Sequence, residues 1–164
     1  MKVHMKPLTL IAVFFLLVGS SLHAQVTNAE AESYFKQFMD RSQQAIEFSS
    51  IVATKKQLKK VFKRKDVKKV SAFYGEQMEE AKDPGSKNYA QVRIVNFSSE
   101  ELKEGTKKST PGMNKIADRV KPGVIFYQVT YYKRPDAKLG LSYKYFIRVK
   151  DEWVFLPKPW RAFK

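Results

Sequence analysis

The stretch from Val124 to Leu156 constrains the fold more than any other. Val124–Arg134, Leu141–Lys150 and Trp153–Leu156 are dense in β-branched and aromatic residues. They are interrupted only by Pro135-Asp136-Ala137-Lys138 and by Asp151-Glu152, so they predict three consecutive strands in a meander. A meander needs cover for an apolar face, and the helical first half of the chain can supply it. Alternation across a strand puts Leu141, Tyr143, Tyr145, Ile147 and Val149 on the core face. Ser142, Lys144, Phe146, Arg148 and Lys150 then fall on the other. Ile125, Tyr127, Val129 and Tyr131 form the matching row in the preceding strand, and Val154 and Leu156 join it beyond the tight turn at Asp151-Glu152. A one-residue slip would set that row opposite lysine and arginine. Phe126, Phe146, Trp153 and Phe155 are left on the outer face, to be covered by the tail or a loop, or to form a homodimer contact.

Upstream, Asn28–Phe48 predicts a helix. Asn28 is placed as its N-cap, and Glu30 and Glu32 lie where the helix dipole favours negative charge. Phe35, Phe38, Met39, Ser42 and Ile46 recur at helical spacing and make the stripe that faces the sheet. Tyr89–Phe97 reads as a further strand. Ser98-Ser99-Glu100-Glu101 has the capping-box pattern of a short helix. The rest of the connection to Pro122 is polar and long, which predicts a mobile segment or a lid. The prolines of Pro157-Lys158-Pro159 stop the last strand, and Trp160 and Phe163 are expected to pack back on the sheet.

Residues 1–24 stand apart. Lys2 and Lys6, the apolar run Leu8–Val18 and the small-residue end Ser20–Ala24 have the three parts of a secretory signal peptide. The expectation is an exported protein, periplasmic or secreted, whose mature chain starts at Gln25. The whole reads as one α+β domain over 25–164. Amphipathic helices over about 28–82 would lie on one face of a curved antiparallel sheet of about four strands, spanning about 89–157.

Processing at that site leaves little for catalysis to use. The chain has no cysteine, and its two histidines, His4 and His23, both lie in the leader. Disulfides, thiolate nucleophiles, His-based triads and the usual zinc sites are thereby excluded from the mature chain. No Asp-rich loop for a hard cation and no phosphate-cradling glycine loop is present. No catalytic residue, metal or cofactor is assigned.

The strongest compositional signal is positive charge. The formal net charge is +15, with 31 lysines and arginines against 16 acids. Lys55, Lys56, Lys59, Lys60, Lys63, Arg64, Lys65, Lys68 and Lys69 fall within one short stretch, in which Asp66 is the only acid. Leu58, Val61 and Phe62 predict an amphipathic helix over 54–64. Asp66 is placed as the cap of a second one, which carries Val67, Val70, Phe73 and Tyr74 and stops before Asp83-Pro84-Gly85. With the apolar residues turned in, the cations ring the outside and raise the local potential. Lys55, Lys56, Lys59, Lys60, Lys63 and Arg64 are the candidate residues for an anionic partner: lipid headgroups, an acidic polysaccharide or an acidic protein. The export signal makes nucleic acid a poor candidate.

Helices followed by an antiparallel sheet, ending in a hairpin with Lys150-Asp151-Glu152-Trp153-Val154, resemble the cystatin-like and NTF2-like α+β class. The resemblance covers about residues 28–157. It implies a cup between helix and sheet, which Tyr127, Tyr143 and Tyr145 would line as a small-ligand pocket. Isomerases of the class use a pocket carboxylate as general base. Here the four strand segments hold no Asp or Glu, so a catalytic acid would have to come from elsewhere, Asp40 or Glu47 for example. The leading expectation is a non-catalytic exported binding protein, and the alternative is a pocket protein or enzyme that uses the cup.

Overall fold

The computed structural model describes residues 26–39, 48–77 and 88–164. The signal segment, Asp40, Ser42, Ile46, Glu47 and the Asp83-Pro84-Gly85 stop lie outside them. The fold is α+β, with a sheet of four antiparallel strands in the order β1-β2-β3-β4: β1 Gln91–Ser98, β2 Ile125–Tyr132, β3 Leu141–Val149 and β4 Glu152–Phe155. Among the described residues, helices α1 Asn28–Lys36, α2 Lys55–Val61 and α3 Arg64–Gln77 precede it. Between β1 and β2 come α4 Ser99–Lys103, α5 Pro111–Asn114 and a 3-10 turn, Ala117–Arg119. A second 3-10 turn, Pro159–Phe163, closes the chain. Among the described residues no helix is long and apolar enough to cross a membrane.

Both faces of the sheet are buried. On one, α1 sets Ala31, Phe35 and Phe38 against Val92, Tyr127, Val129, Tyr131, Phe146 and Trp153. On the other, Phe97, Phe126, Tyr145, Ile147, Val154 and Leu156 meet α2, α3 and the connection between β1 and β2. Strands buried on both faces read as nearly continuous apolar runs, which is how 125–132 and 145–149 read. Phe126 and Phe146 are buried within the chain and Trp153 nearly so, so these three rings are not available to a second copy. Leaving them in water would forgo about 1.5–3 kcal/mol each.

The strict alternation expected for β3 fails at one residue. Tyr127 pairs with Phe146, but Gln128 pairs with Lys144, so Tyr145 bulges out of the ladder. A bulge inserts one residue and reverses the parity beyond it. Leu141 and Tyr143 therefore face α1, whereas Tyr145, Ile147 and Val149 face the other side. The hairpin turn also sits one residue earlier than expected. Val149 pairs with Glu152, leaving Lys150 and Asp151 as the turn, with Lys150 at φ 56°.

Local signals set several ends. The cap of α1 is Thr27 rather than Asn28: its hydroxyl accepts from the Glu30 amide, and Glu30 returns to the Thr27 amide. Ser98 and Glu101 make the same reciprocal box at α4, as the sequence predicts. The connection 98–122 is not a loose lid, because Leu102, Met113, Ile116 and Val120 are buried in the core. They escape a periodicity reading because each stands alone among polar neighbours. The tail does pack back. The Trp160 ring lies edge-on to Tyr145, with centroids 6.1 Å apart. It also sits so close to Gly112 that a Cβ there would fall 2.6 Å from the indole Nε1.

Candidate anion-binding face

The basic block folds as two short helices hung on the sheet. Thr54 caps α2 and exchanges hydrogen bonds with Gln57. Leu58 and Val61 turn in, leaving Lys55, Lys56, Lys59 and Lys60 exposed. The chain extends at Phe62 and enters α3 two residues later. Val67, Val70 and Tyr74 anchor α3, with Arg64, Lys65, Lys68 and Lys69 on the solvent side; Lys63 is exposed in the joint. All six residues proposed from sequence for an anionic partner are thus at the surface.

Asp66 does not cap α3 and does not neutralise this surface. The helix begins two residues before it, and its side chain is 2% exposed. One carboxylate oxygen accepts from Arg119 Nη1 at 2.7 Å, and the Arg119 guanidinium also lies 4.4 Å from the Phe163 ring centroid. That pair locks the segment around residue 120 against the joint. Lys63 N–H donates to Arg119 O at 2.9 Å and Lys121 N–H to Val61 O at 2.8 Å, on either side of a bridge between Phe62 and Val120.

Lys121 is thereby delivered to the basic face, its ammonium donating to Lys59 O at 2.6 Å. It completes a cleft of about 460 Å³ lined by Lys55, Lys59, Arg64, Val67, Lys68 and Lys121. Five cations and one apolar side chain form this lining, without a carboxylate. Sequence reasoning missed Lys121, which sits in a polar connection over fifty residues from the block. For Arg119 there was a signal: the only acid in the Lys55–Lys69 block, once turned inward, needs a cation beside it.

The three tyrosines proposed as pocket lining do not come together. Tyr127 and Tyr143 lie with the α1 side of the sheet and Tyr145 with the opposite side. Two of their hydroxyls serve the backbone. Tyr127 donates to Val26 O at 2.7 Å, and Tyr145 accepts from Thr110 N–H at 2.9 Å and bonds Thr110 Oγ1 at 2.7 Å. The space between α1 and the sheet is filled by Phe35, Phe48, Phe146 and Trp153 in edge and tilted contacts. Burial pushes up the pKa of the Tyr127 and Tyr131 hydroxyls, and that of Tyr74 strongly. None is drawn toward the neutral range that a general base needs.

The carboxylates with resolved shifts are structural. Hydrogen bonds from Thr27 lower Glu30. The Gly123 amide is the main cause at Glu100, and Lys108 at Glu101. Among the described residues no three His, Cys, Asp or Glu side chains gather where a metal would need them. Comparison with known proteins finds no matching family model, no matching characterised protein and no matching solved structure.

Proposed function

We propose that the chain is an exported, non-catalytic binding protein whose α2–α3 face meets an anionic component of the cell envelope. The observation that carries this reading is the inward turn of Asp66 onto Arg119, which leaves the exposed cations of the block without their only internal acid. Lysine dominates over arginine in the block, which suits attraction to charge density more than bidentate recognition of one planar group. The binding is weak and salt-sensitive, because exposed charges are screened within about 10 Å at 0.1 M salt. Export follows from the lysine-flanked apolar run at the N-terminus. The test is co-sedimentation of the mature protein with phosphatidylglycerol vesicles across a salt series. Changing Lys55, Lys56, Lys59 and Lys60 to Gln is expected to abolish low-salt binding while leaving the circular dichroism spectrum unchanged. Undiminished binding by that folded variant would refute the reading.

A further inference from the structure

The exposed cations are not spread evenly over the face. Lys55 and Lys59 from α2, Arg64 and Lys68 from α3, and Lys121 from the distant connection converge on one cleft, whereas Lys56, Lys65 and Lys69 do not line it. Three features make the cleft more than a crowded surface. Its one apolar lining residue, Val67, is nearly buried beneath the cations, so low-dielectric protein lies on that side of the cleft and strengthens the field there. Its walls are tied together by the Asp66–Arg119 pair and by the backbone bonds on both sides of Val120. One wall lysine is held by a main-chain carbonyl, since Lys121 Nζ donates to Lys59 O.

We infer that this cleft is a binding site for a compact group carrying several negative charges, two or more phosphates close together, on a lipid headgroup or in a soluble molecule. The inference rests on the anion-binding reading above and narrows it to one site and one ligand class. A polysaccharide with one carboxylate per sugar brings fewer charges into a cleft of about 460 Å³ than a cluster of phosphates does, and the denser charge is the better match for five converging cations. Four of the five are lysines, whose ammonium groups are point charges that can share phosphate oxygens in varied geometry.

The test compares two charge-matched variants of the full mature chain, Lys59→Gln/Lys68→Gln in the cleft and Lys65→Gln/Lys69→Gln outside it. Both are checked for fold by circular dichroism, and binding of sodium tripolyphosphate is measured by calorimetry. At about fivefold per cation, the cleft variant should bind at least tenfold more weakly, and the outer variant within about threefold of the wild type. Vesicles carrying a bisphosphorylated lipid, against phosphatidylglycerol vesicles of equal charge, distinguish the sources. Preference for the former assigns the phosphates to a headgroup; equal binding to both, with tripolyphosphate still bound, assigns them to a soluble ligand. Equal loss in the two variants would overturn the cleft and leave the diffuse basic face standing. Wild-type binding to phosphatidylglycerol vesicles but not to tripolyphosphate would do the same. No loss in either variant, on tripolyphosphate or vesicles, would overturn the cleft and the anion-binding reading together.

Discussion

Tyr145→Phe and Tyr74→Phe make the same chemical change in two buried rings, and the structure gives them opposite consequences. The Tyr145 hydroxyl holds Thr110 through its amide and its hydroxyl, at 2.9 and 2.7 Å. Thr110 in turn caps α5, so the bond fixes the 98–122 connection to the bulged strand. Removing the oxygen deletes two hydrogen bonds at about 0.5–1.5 kcal/mol net each and leaves the Thr110 amide without its partner. The expected cost is about 1–3 kcal/mol. In a chain of this size each kcal/mol lowers Tm by about 2–4 °C. The Tyr74 hydroxyl is buried and has no hydrogen-bond partner among the described residues. Deleting it removes a desolvated polar group, so Tyr74→Phe should leave Tm unchanged or raise it. Urea and thermal unfolding of both variants decide the matter. Faster amide exchange at Thr110 in Tyr145→Phe would locate the loss. Equal Tm shifts in the two variants would refute the assignment of Tyr145 as the peg between connection and sheet.

Two further expectations come from burial. Ile147 is 2% exposed and paired with Val154, so Ile147→Ala should cost about 2–5 kcal/mol. Lys144→Ala, at a half-buried site on the strand, should cost under about 0.5 kcal/mol by urea denaturation, and the reverse order would contradict the register. Stability should also fall at alkaline pH. The unfolded chain releases tyrosine protons above about pH 10, whereas burial raises the hydroxyl pKa of Tyr74, Tyr127 and Tyr131 in the folded protein. Their contribution is therefore complete below about pH 10 and is lost as pH rises beyond it. The slope is about 1.4 kcal/mol per pH unit for each deeply buried hydroxyl, Tyr74 and Tyr131, and less for Tyr127. A flat urea midpoint between pH 9 and 11 would contradict it.

Much of this architecture is legible in the sequence because it is local. Strand runs, turn residues and the Ser98–Glu101 box act within a few positions, and each appears near where it is read. The errors arise where a distant partner decides. Alternation in β3 fails because one inserted residue, Tyr145, shifts everything after it by one, and the side chains on either side of a bulge look like those of a regular strand. The 98–122 connection reads as polar because its core residues are spaced by turns rather than by a helical or strand period. Asp66 sits where a cap residue would, yet its partner Arg119 is 53 positions away. The candidate site divides along the same line. The lysines of α2 and α3 follow from amphipathic spacing, while Lys121 depends on a tertiary bridge that no window of the sequence contains.

The division of the sheet into two buried faces bears on what kind of function the molecule can carry. Aromatic side chains that would line a cup are used up in covering the sheet, and the hydroxyls of Tyr127 and Tyr131 go to the carbonyls of Val26 and Phe35. That leaves charge as the chemistry concentrated at the α2–α3 surface. Bringing five cations to one cleft raises the energy of the folded state through mutual repulsion, and no carboxylate in the lining relieves it. The fold tolerates this because Leu58, Val61, Phe62 and Val70 anchor the two helices from the other side. An anion that enters the cleft relieves a repulsion already present in the free protein. It meets cations carried on backbone that a packed core and the half-exposed Asp66–Arg119 pair hold in place, so less ordering of the main chain is required when it binds. If the proposed anion binds there, binding confined to the folded state would also stabilise that state and would tie stability and binding to the same five side chains.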